Sequence, residues 1–195
     1  MDWKVCKMSK TGLLLVAILI VIGGCGGMSP SVFLHDEYNF QYLERVAVIP
    51  FDNISSDQGA GARATRMFIS EMLAARAFDV VEPGEVTKAL EKHSTVRTSQ
   101  LTKEQIVEIG KSLKVQGIIL GNVTESSSMR SGASTINTVT MVVRMVETET
   151  GMTVWSATHT SGKKGFWASL FGTGGKSQSE VMRSCIKGVL KTLIN

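Results

Sequence analysis

The sequence is poor in the residues that carry most protein chemistry. Its three histidines, His35, His93 and His159, stand in different segments, and no two of them have the i, i+4 spacing of a helical metal site. No serine lies in a G-x-S-x-G motif, which excludes the nucleophile elbow of the α/β-hydrolases. The sequence therefore gives no support to a zinc enzyme or a hydrolase, although a triad assembled from distant residues stays an open alternative.

Neither sign of charge dominates. Of the 21 Lys and Arg and the 17 Asp and Glu residues, three lysines and one aspartate fall within residues 1–24, so residues 25–195 carry 18 basic and 16 acidic side chains. The two signs are interspersed, whereas nucleic-acid-binding proteins cluster their basic residues on one face. We therefore expect no nucleic-acid partner.

The one long apolar run stands at the N-terminus. It covers residues 11–22, follows a basic region, and is too short to span a bilayer comfortably, as in the h-region of a secretory signal peptide. The Gly-Gly-Cys sequence that ends at Cys25 resembles the lipobox of bacterial lipoproteins, in which small residues precede a cysteine that receives diacylglycerol. We predict a signal peptide at 1–24 and lipidation of Cys25, with an uncleaved anchor and an incidental cysteine as the alternative.

The three cysteines then have separate fates. Cys6 is removed with the signal peptide and Cys25 is lipidated, so Cys185 is the sole thiol of the folded part and no intrachain disulfide can form. Cys185 lies on the apolar stripe of a predicted helix, which favours a small core residue.

Strands and helices alternate after a predicted tether at 25–42. β-branched runs predict strands at 45–51, 78–82 and 116–123, with one helix in the first interval and two in the second. The first helix is predicted to pack on the sheet through residues at helical spacing, namely Met67, Phe68, Met72, Leu73 and Ala75. The third helix begins with the capping box that Thr102 and Gln105 form.

A hairpin and a helix complete the predicted fold. After a polar stretch at 124–137, alternating residues predict two strands joined at Glu149-Thr150-Gly151. The last helix buries a stripe made of Val181, Cys185, Ile186, Val189, Leu190 and Leu193. The predicted fold class is α/β, a sandwich with a mixed central sheet of about five strands and flanking helices.

This order of elements resembles the CsgG family, which is named for the curli secretion channel lipoprotein. The resemblance rests on RVAVIPFDN from Arg45, FDVVEPGEV from Phe78, GIILGNVTE from Gly117 and VVRMVETETGMTVWSA from Val142. It implies an anticodon-binding-like, TolB N-terminal-like domain, which we place at 43–195. None of these motifs is a catalytic signature.

Channel-forming members of that family carry two long hairpins that close into an outer-membrane β-barrel. The matching positions here hold only residues 126–137 and 162–176, and a transmembrane strand needs about 9 to 11 residues. The first of these segments is also rich in serine. The resemblance therefore implies a non-channel relative.

A glycine pattern before the first helix suggests a different function. Gly59 and Gly61 fit the dinucleotide fingerprint, with Glu82 about 20 residues further on. The fingerprint should follow its strand at once, however, and here seven residues separate Phe51 from Gly59. A flexible loop before a helix is favoured over a nucleotide-binding enzyme, and we expect neither a cofactor nor a metal.

One segment combines glycines, two lysines and a cluster of large apolar side chains. The apolar residues are Phe166, Trp167, Leu170 and Phe171. Exposed clusters of this kind mark partner or membrane contacts, whereas a helical turn folded over the core would bury the same residues. Both interpretations remain open at the level of sequence.

The expected function is that of a non-catalytic accessory lipoprotein held at the outer membrane by its lipid and facing the periplasm. It would act through contacts with cell-envelope proteins in assembly or secretion, as a homo-oligomer. Gly26 stands where an aspartate would resemble an inner-membrane retention signal, which favours the outer membrane. The alternatives are an activator lipoprotein of a peptidoglycan synthase and a nucleotide-binding enzyme that uses the Gly59 loop.

Overall fold

One mixed sheet forms the centre of the molecule. The computed structural model describes residues 29–92, 101–131, 134–162 and 176–194, in which seven strands form the sheet and four α-helices flank it. The strands are β1 (Ser31–Leu34), β2 (Arg45–Val48), β3 (Asp52–Asn53), β4 (Asp79–Val80), β5 (Gly117–Ser131), β6 (Ser134–Glu147) and β7 (Thr153–Ser161). The helices are α1 (Ala60–Ala75), α2 (Pro83–Lys92), α3 (Lys103–Leu113) and α4 (Gln178–Ile194), with a 3₁₀ turn at Phe40–Tyr42.

The predicted α/β class is confirmed, and the sheet is larger than expected. Its strand order is β1-β7-β6-β5-β2-β4, and β3 pairs with β5 beyond the end of β2. The strands β2, β3, β4 and β5 are parallel to one another, while β6, β7 and β1 are added to β5 as an antiparallel half. The two strands beyond the predicted five are β1 and β3, which have four and two residues and are too short to show a period.

Helices cover both faces of the parallel half, and each face has its own core. On one face α1 and α4 pack on the sheet through fully buried side chains that include Phe68, Met72, Ile186, Met141 and Trp155. On the other face α2 and α3 cover Ala47, Ile49 and Ile118. The alternation predicted for β6 is confirmed, because Met141, Val143 and Met145 are buried, whereas Val142 and Arg144 on the opposite face are half-buried.

The buried face of α1 differs from the prediction. Leu73 is 54% exposed and Ala75 is exposed as well, while Ala60, Ala64, Phe68 and Met72 point into the core. These four residues recur every four positions, so they form one stripe along the helix. The small residues at its first turns allow α1 to approach the sheet closely.

The polar stretch at 124–137 also differs from its expected role. It is not a separate connection between strands, because β5 continues to Ser131 and β6 begins at Ser134. The two strands stay in register from Glu125 to Ser134 after a β-bulge that follows Val123. This stretch is therefore the outer half of one long hairpin.

Candidate functional site

The outer half of the β5–β6 hairpin, residues 125–138, is here named the arm. β7 pairs with β6 only between Val139 and Val146, and β3 pairs with β5 only at Asn122 and Val123. Within the described residues the arm is thus a ribbon of two strands that no third strand supports. A two-stranded ribbon is marginally stable in water by itself, so the contacts at the base of the arm decide its direction.

A polar cluster fixes the first strand of the arm. The carboxylate oxygen Oδ2 of Asp57 accepts hydrogen bonds from Ser126 Oγ at 2.7 Å, from Gln178 Nε2 at 2.8 Å and from the guanidinium group of Arg63. Gln178 Nε2 is also 2.8 Å from Ser126 Oγ. These four residues, named the Asp57 cluster below, join the arm to α1 and to the first turn of α4.

The electrostatics of the Asp57 cluster favour the ionised carboxylate. The hydrogen bond from Ser126 and the bond and charge of Arg63 lower the pKa of Asp57 below its ordinary value, while burial acts in the opposite direction. Ser126 is only 3% exposed, so its hydroxyl depends on this carboxylate and on Gln178 for hydrogen bonds. The cluster is therefore an internal connection and its groups are already engaged.

The loop before α1 presents Asp57 to this cluster. Asn53 Nδ2 donates to the Asp57 carbonyl oxygen at 2.8 Å, and Asn53 Oδ1 accepts from the Ser55 amide at 3.1 Å. Gly59 has a φ of +78°, which a glycine adopts without strain. A Cβ on Gly61 would lie 2.4 Å from the carbonyl oxygen of Phe51, so only glycine fits there.

These contacts explain the glycine pattern without a nucleotide. The two glycines serve a turn and the close approach of α1 to the chain after β2. The Asp57 carboxylate lies beside the first turn of α1, where its charge opposes a phosphate group. The geometry therefore does not support the alternative of a nucleotide-binding enzyme that uses the Gly59 loop.

Asn137 fixes the second strand of the arm. Its Nδ2 donates to the carbonyl oxygen of Lys176 at 2.7 Å, and its Oδ1 accepts from Ser128 Oγ across the ribbon. Gly162, with a φ of +116°, packs so tightly that a Cβ there would lie 1.9 Å from the Asn137 carbonyl oxygen. The chain on both sides of residues 163–175 is thus in contact with Asn137. The predicted contact residues Phe166, Trp167, Leu170 and Phe171 belong to that segment, outside the described residues.

The tip of the arm exposes an apolar pair. Met129 and Ile136 are partners in the β5–β6 register, which places their side chains on the same face of the ribbon. Met129 is 69% exposed and Ile136 is half-buried. Arg130 is the one charged residue in the sequence from Ser126 to Asn137.

The edge strand β1 is a second exposed apolar feature. Val32, Phe33 and Leu34 are 41%, 50% and 47% exposed, and in the described part of the chain β1 pairs with β7 alone. In an antiparallel ladder alternate residues turn their amide and carbonyl groups away from the partner strand. β1 thus offers unpaired backbone groups together with apolar side chains, which is a template for an added strand.

Two described residues with reactive side chains, Cys185 and His159, lie close together in the fold. Burial raises the pKa of the Cys185 thiol to about 12. The thiol lies 3.2 Å from the backbone oxygen of His159, so it contacts the main chain of that residue and not its imidazole ring. Cys185 is fully buried, as predicted for a core residue. Burial also lowers the pKa of His159. These two residues therefore do not form a thiolate–imidazole pair.

An open cleft of about 480 Å³ lies between α1 and α4 beside the Asp57 cluster. The cleft is lined by three residues of the cluster and by four others, namely Asp57, Arg63, Gln178, Arg66, Met67, Ser179 and Met182. The carboxylate in this cleft is already bound to three donors, so the lining contains no free general base.

Among the described residues no group of histidine, cysteine and acidic side chains could hold a metal ion. No helix in the described ranges is long and apolar enough to cross a membrane. Cys25, the predicted lipidation site, lies outside the described residues.

The sequence comparisons find no match, whereas several solved structures have the same fold. No family model matches the chain, and no curated protein matches it. The structure of the PelC dodecamer from Paraburkholderia phytofirmans superposes with a TM-score of 0.58 and 18% identity, over 86% of this chain and 99% of that one. The lipoprotein GNA1162 from Neisseria meningitidis superposes with a TM-score of 0.57 and 14% identity, over 77% of this chain and 97% of that one.

A third structure, the hypothetical protein CT253 from Chlamydia trachomatis, has a TM-score of 0.54 and 7% identity, over 77% of this chain and 95% of that one. At such identities the likeness is one of fold. The fold is thus one that small bacterial proteins share, a lipoprotein among them. Membership of the CsgG family stays a prediction.

Proposed function

We propose that this chain is a lipid-anchored, non-catalytic accessory protein of the bacterial cell envelope, which acts through protein contacts in assembly or secretion. The lipid attaches at Cys25, and the anchored domain faces the periplasm from the outer membrane. Support for an envelope role comes from the fold, which the chain shares with a solved lipoprotein. Two observations favour a binding function over an enzyme. The Asp57 carboxylate is already hydrogen-bonded. The Cys185 thiol is buried and contacts the backbone of His159, not its ring.

The observation that carries the proposal is the exposed apolar edge of β1. Three consecutive large side chains, Val32, Phe33 and Leu34, are each more than 40% exposed on a strand whose outer edge pairs with no described residue. Soluble proteins usually protect such an edge with charge, proline or a covering segment. A partner strand would bury these side chains and complete the ladder of β1.

The partner that we favour is a second copy of the chain within a homo-oligomer. The PelC structure with the same fold is a dodecamer, so this fold is compatible with a large assembly. The apolar residues at 166, 167, 170 and 171 would add contacts with other envelope proteins.

The edge is tested by adding charge to it. Phe33→Lys in the full-length protein should abolish the oligomer that chemical crosslinking traps in membranes, because a lysine resists the pairing of edge strands. The control is Leu73→Lys on α1, which places the same charge at a side chain that is 54% exposed. An unchanged crosslinking pattern for Phe33→Lys, with both variants equally stable to heat, would count against β1 as the contact.

The anchor and the apolar segment have separate tests. Cys25→Ser should move the folded protein from the membrane to the soluble fraction, and full activity of this variant would show that the anchor is incidental.

Trp167→Ser with Phe171→Ser should weaken assembly at an unchanged melting temperature. A fall in the melting temperature of the monomer would instead place these side chains in the core. Membrane crosslinking that recovers a penicillin-binding protein would favour the synthase activator over a role in secretion.

A further inference from the structure

The tether and the arm leave the sheet at the same end. β5 and β7 both run antiparallel to β6, so Ser131 and Ser161 lie at one end of the sheet. β1 runs antiparallel to β7, and its first residue, Ser31, therefore lies toward that same end. The turn at Glu149 joins β6 to β7 at the opposite end.

The pairing register shows how far the arm extends along β5 beyond the residue that is level with Ser31, the first residue of β1. Ser31 is opposite Thr158, which is opposite Val142, which is opposite Asn122. Met129 stands seven residues beyond Asn122 on β5, and one of the seven belongs to the bulge. At about 3.3 Å per strand residue, Met129 lies about 20 Å further along β5 than Asn122, the residue that is level with Ser31 in the register.

The tether is no longer than this extension. Five residues lie between Cys25 and Ser31, so the chain covers six Cα–Cα steps and has a maximum reach of about 20 Å. A flexible chain of that length has a mean end-to-end distance of about 13 Å. When the arm points toward the membrane that holds the lipid of Cys25, its tip reaches the lipid surface, because its extension exceeds the mean tether length by about 7 Å.

The chemistry of the tip suits a lipid surface. Side chains that bind at a bilayer interface enter it by about 5–10 Å, which is comparable to this excess. Met129 is apolar and exposed, its apolar partner Ile136 is half-buried, and Arg130 adds a cation that can contact lipid phosphates. Each strand of the ribbon pairs with the other along one edge only, and the backbone groups on the two outer edges can bind the water and headgroups of the interface.

We infer that the arm is a membrane-contact element, which inserts the Met129–Ile136 pair into the lipid interface beside the anchor. The inference rests on the proposed lipidation of Cys25. It assigns the arm to the lipid surface and leaves the β1 edge for protein partners. The Asp57 cluster and Asn137 then serve to hold the arm in the direction of the membrane.

An environment-sensitive fluorophore on the arm tests the contact. Met129→Cys in the full-length lipidated protein is labelled with a nitrobenzoxadiazole group and reconstituted in vesicles of phosphatidylethanolamine and phosphatidylglycerol. Labelling is confined to this site because Cys25 carries the lipid and Cys185 is buried with a raised pKa. The control is Glu149→Cys, an exposed position at the opposite end of the sheet.

We expect the emission of the label at residue 129 to shift to the blue and to be quenched several-fold more than the label at 149 by nitroxide groups on lipid chains. If the protein floats with the vesicles but aqueous iodide quenches both labels equally, the inference is overturned and the anchor stands. A blue shift without quenching by the lipid nitroxides would mean that a second copy of the chain covers the arm. This result would also overturn the inference. Protein that does not float with the vesicles would overturn the proposed anchor as well.

Discussion

Ser126 donates a hydrogen bond of 2.7 Å to the carboxylate of Asp57, 69 residues earlier in the chain. The bond connects the first strand of the arm to the loop before α1, and Gln178 extends the connection to α4. Gln178 Nε2 also lies 2.8 Å from Ser126 Oγ, so the arm is linked both to the loop before α1 and to α4 itself.

Removal of the Asp57 carboxylate should destabilise the fold. Asp57→Ala leaves Ser126, Gln178 and Arg63 without their shared acceptor, and we expect the free energy of unfolding to fall by about 1–3 kcal/mol. Urea unfolding measures the change, with Asp36→Ala, at an exposed position, as the control. Equal stability of the two variants would contradict a role for the Asp57 cluster.

The contribution of Asp57 should depend on pH. Its pKa is lower in the folded protein than in the unfolded chain, so its stabilising effect is complete above the unfolded value of about 4. The effect is lost as the pH falls from there through the folded pKa. We therefore expect the difference in unfolding free energy between wild type and Asp57→Asn to be largest at neutral pH and to shrink below pH of about 4.

Two helical glycines should respond to alanine in opposite ways. A Cβ on Gly110 in α3 would lie 2.4 Å from the Cβ of Thr148, whereas a Cβ on Gly84 in α2 has no neighbour within 4 Å. Gly110→Ala should cost about 1–3 kcal/mol despite the better helix propensity of alanine. Gly84→Ala should gain up to about 1 kcal/mol. Thermal unfolding of both variants checks the contrast, and equal effects would show that the clash at Gly110 relaxes freely.

The indole of Trp155 should need its acceptor. Its Nε1 donates to Thr192 Oγ1 at 3.1 Å, and the ring is fully buried. Thr192→Val keeps the shape but removes the acceptor, and we expect a loss of about 1–3 kcal/mol in unfolding free energy. Thr192→Ser retains the hydroxyl and should lose clearly less, so a similar loss in both variants would point to packing alone.

Cys185 should be inert in the folded protein. The thiolate is the reactive form of cysteine, and burial raises the pKa of this thiol to about 12. We expect no modification by Ellman's reagent at neutral pH until denaturant unfolds the chain. Rapid modification of the native protein would show that the helix α4 opens locally.

Local signals in the sequence predicted local structure well. The capping box of α3 is present, with the Gln105 amide 3.3 Å from Thr102 Oγ1 and the Thr102 amide 2.9 Å from Gln105 Oε1. The predicted turn between β6 and β7 is also confirmed, and Gly151 there has a φ of +69°. The buried stripe of α4 agrees in each of its predicted residues. Each of these features depends on residues close together in the chain.

The features that the sequence did not reveal depend on distant partners. Ser126 belongs to a serine-rich stretch that is typical of an exposed connection, and it is buried because Asp57 and Gln178 approach it from other elements. β1 exists because β7 offers it an edge, and it falls within residues that we had interpreted as tether. In α1 both sides of the helix carry apolar residues, so spacing could not tell that Leu73 faces solvent.

The candidate site follows the same rule. The sequence pointed to an apolar segment and to Cys25, both outside the described residues, and it did not single out Asp57, Gln178 or Asn137. The five β-branched residues from Thr135 to Thr140 are the signal that could have predicted an earlier start of β6. The direction of the arm relative to the tether needed the register of four strands.

Asn137 contacts the chain on both sides of residues 163–175. These contacts hold the two ends of this junction together, and they do not depend on which residues lie between the ends. The entropy of closing a loop rises slowly with its length, by about 0.6 kcal/mol for each doubling. The position is therefore a natural exchange point, where longer or shorter sequences can be inserted with little effect on stability. Related proteins could diversify at this junction while the sheet and its helices stay the same.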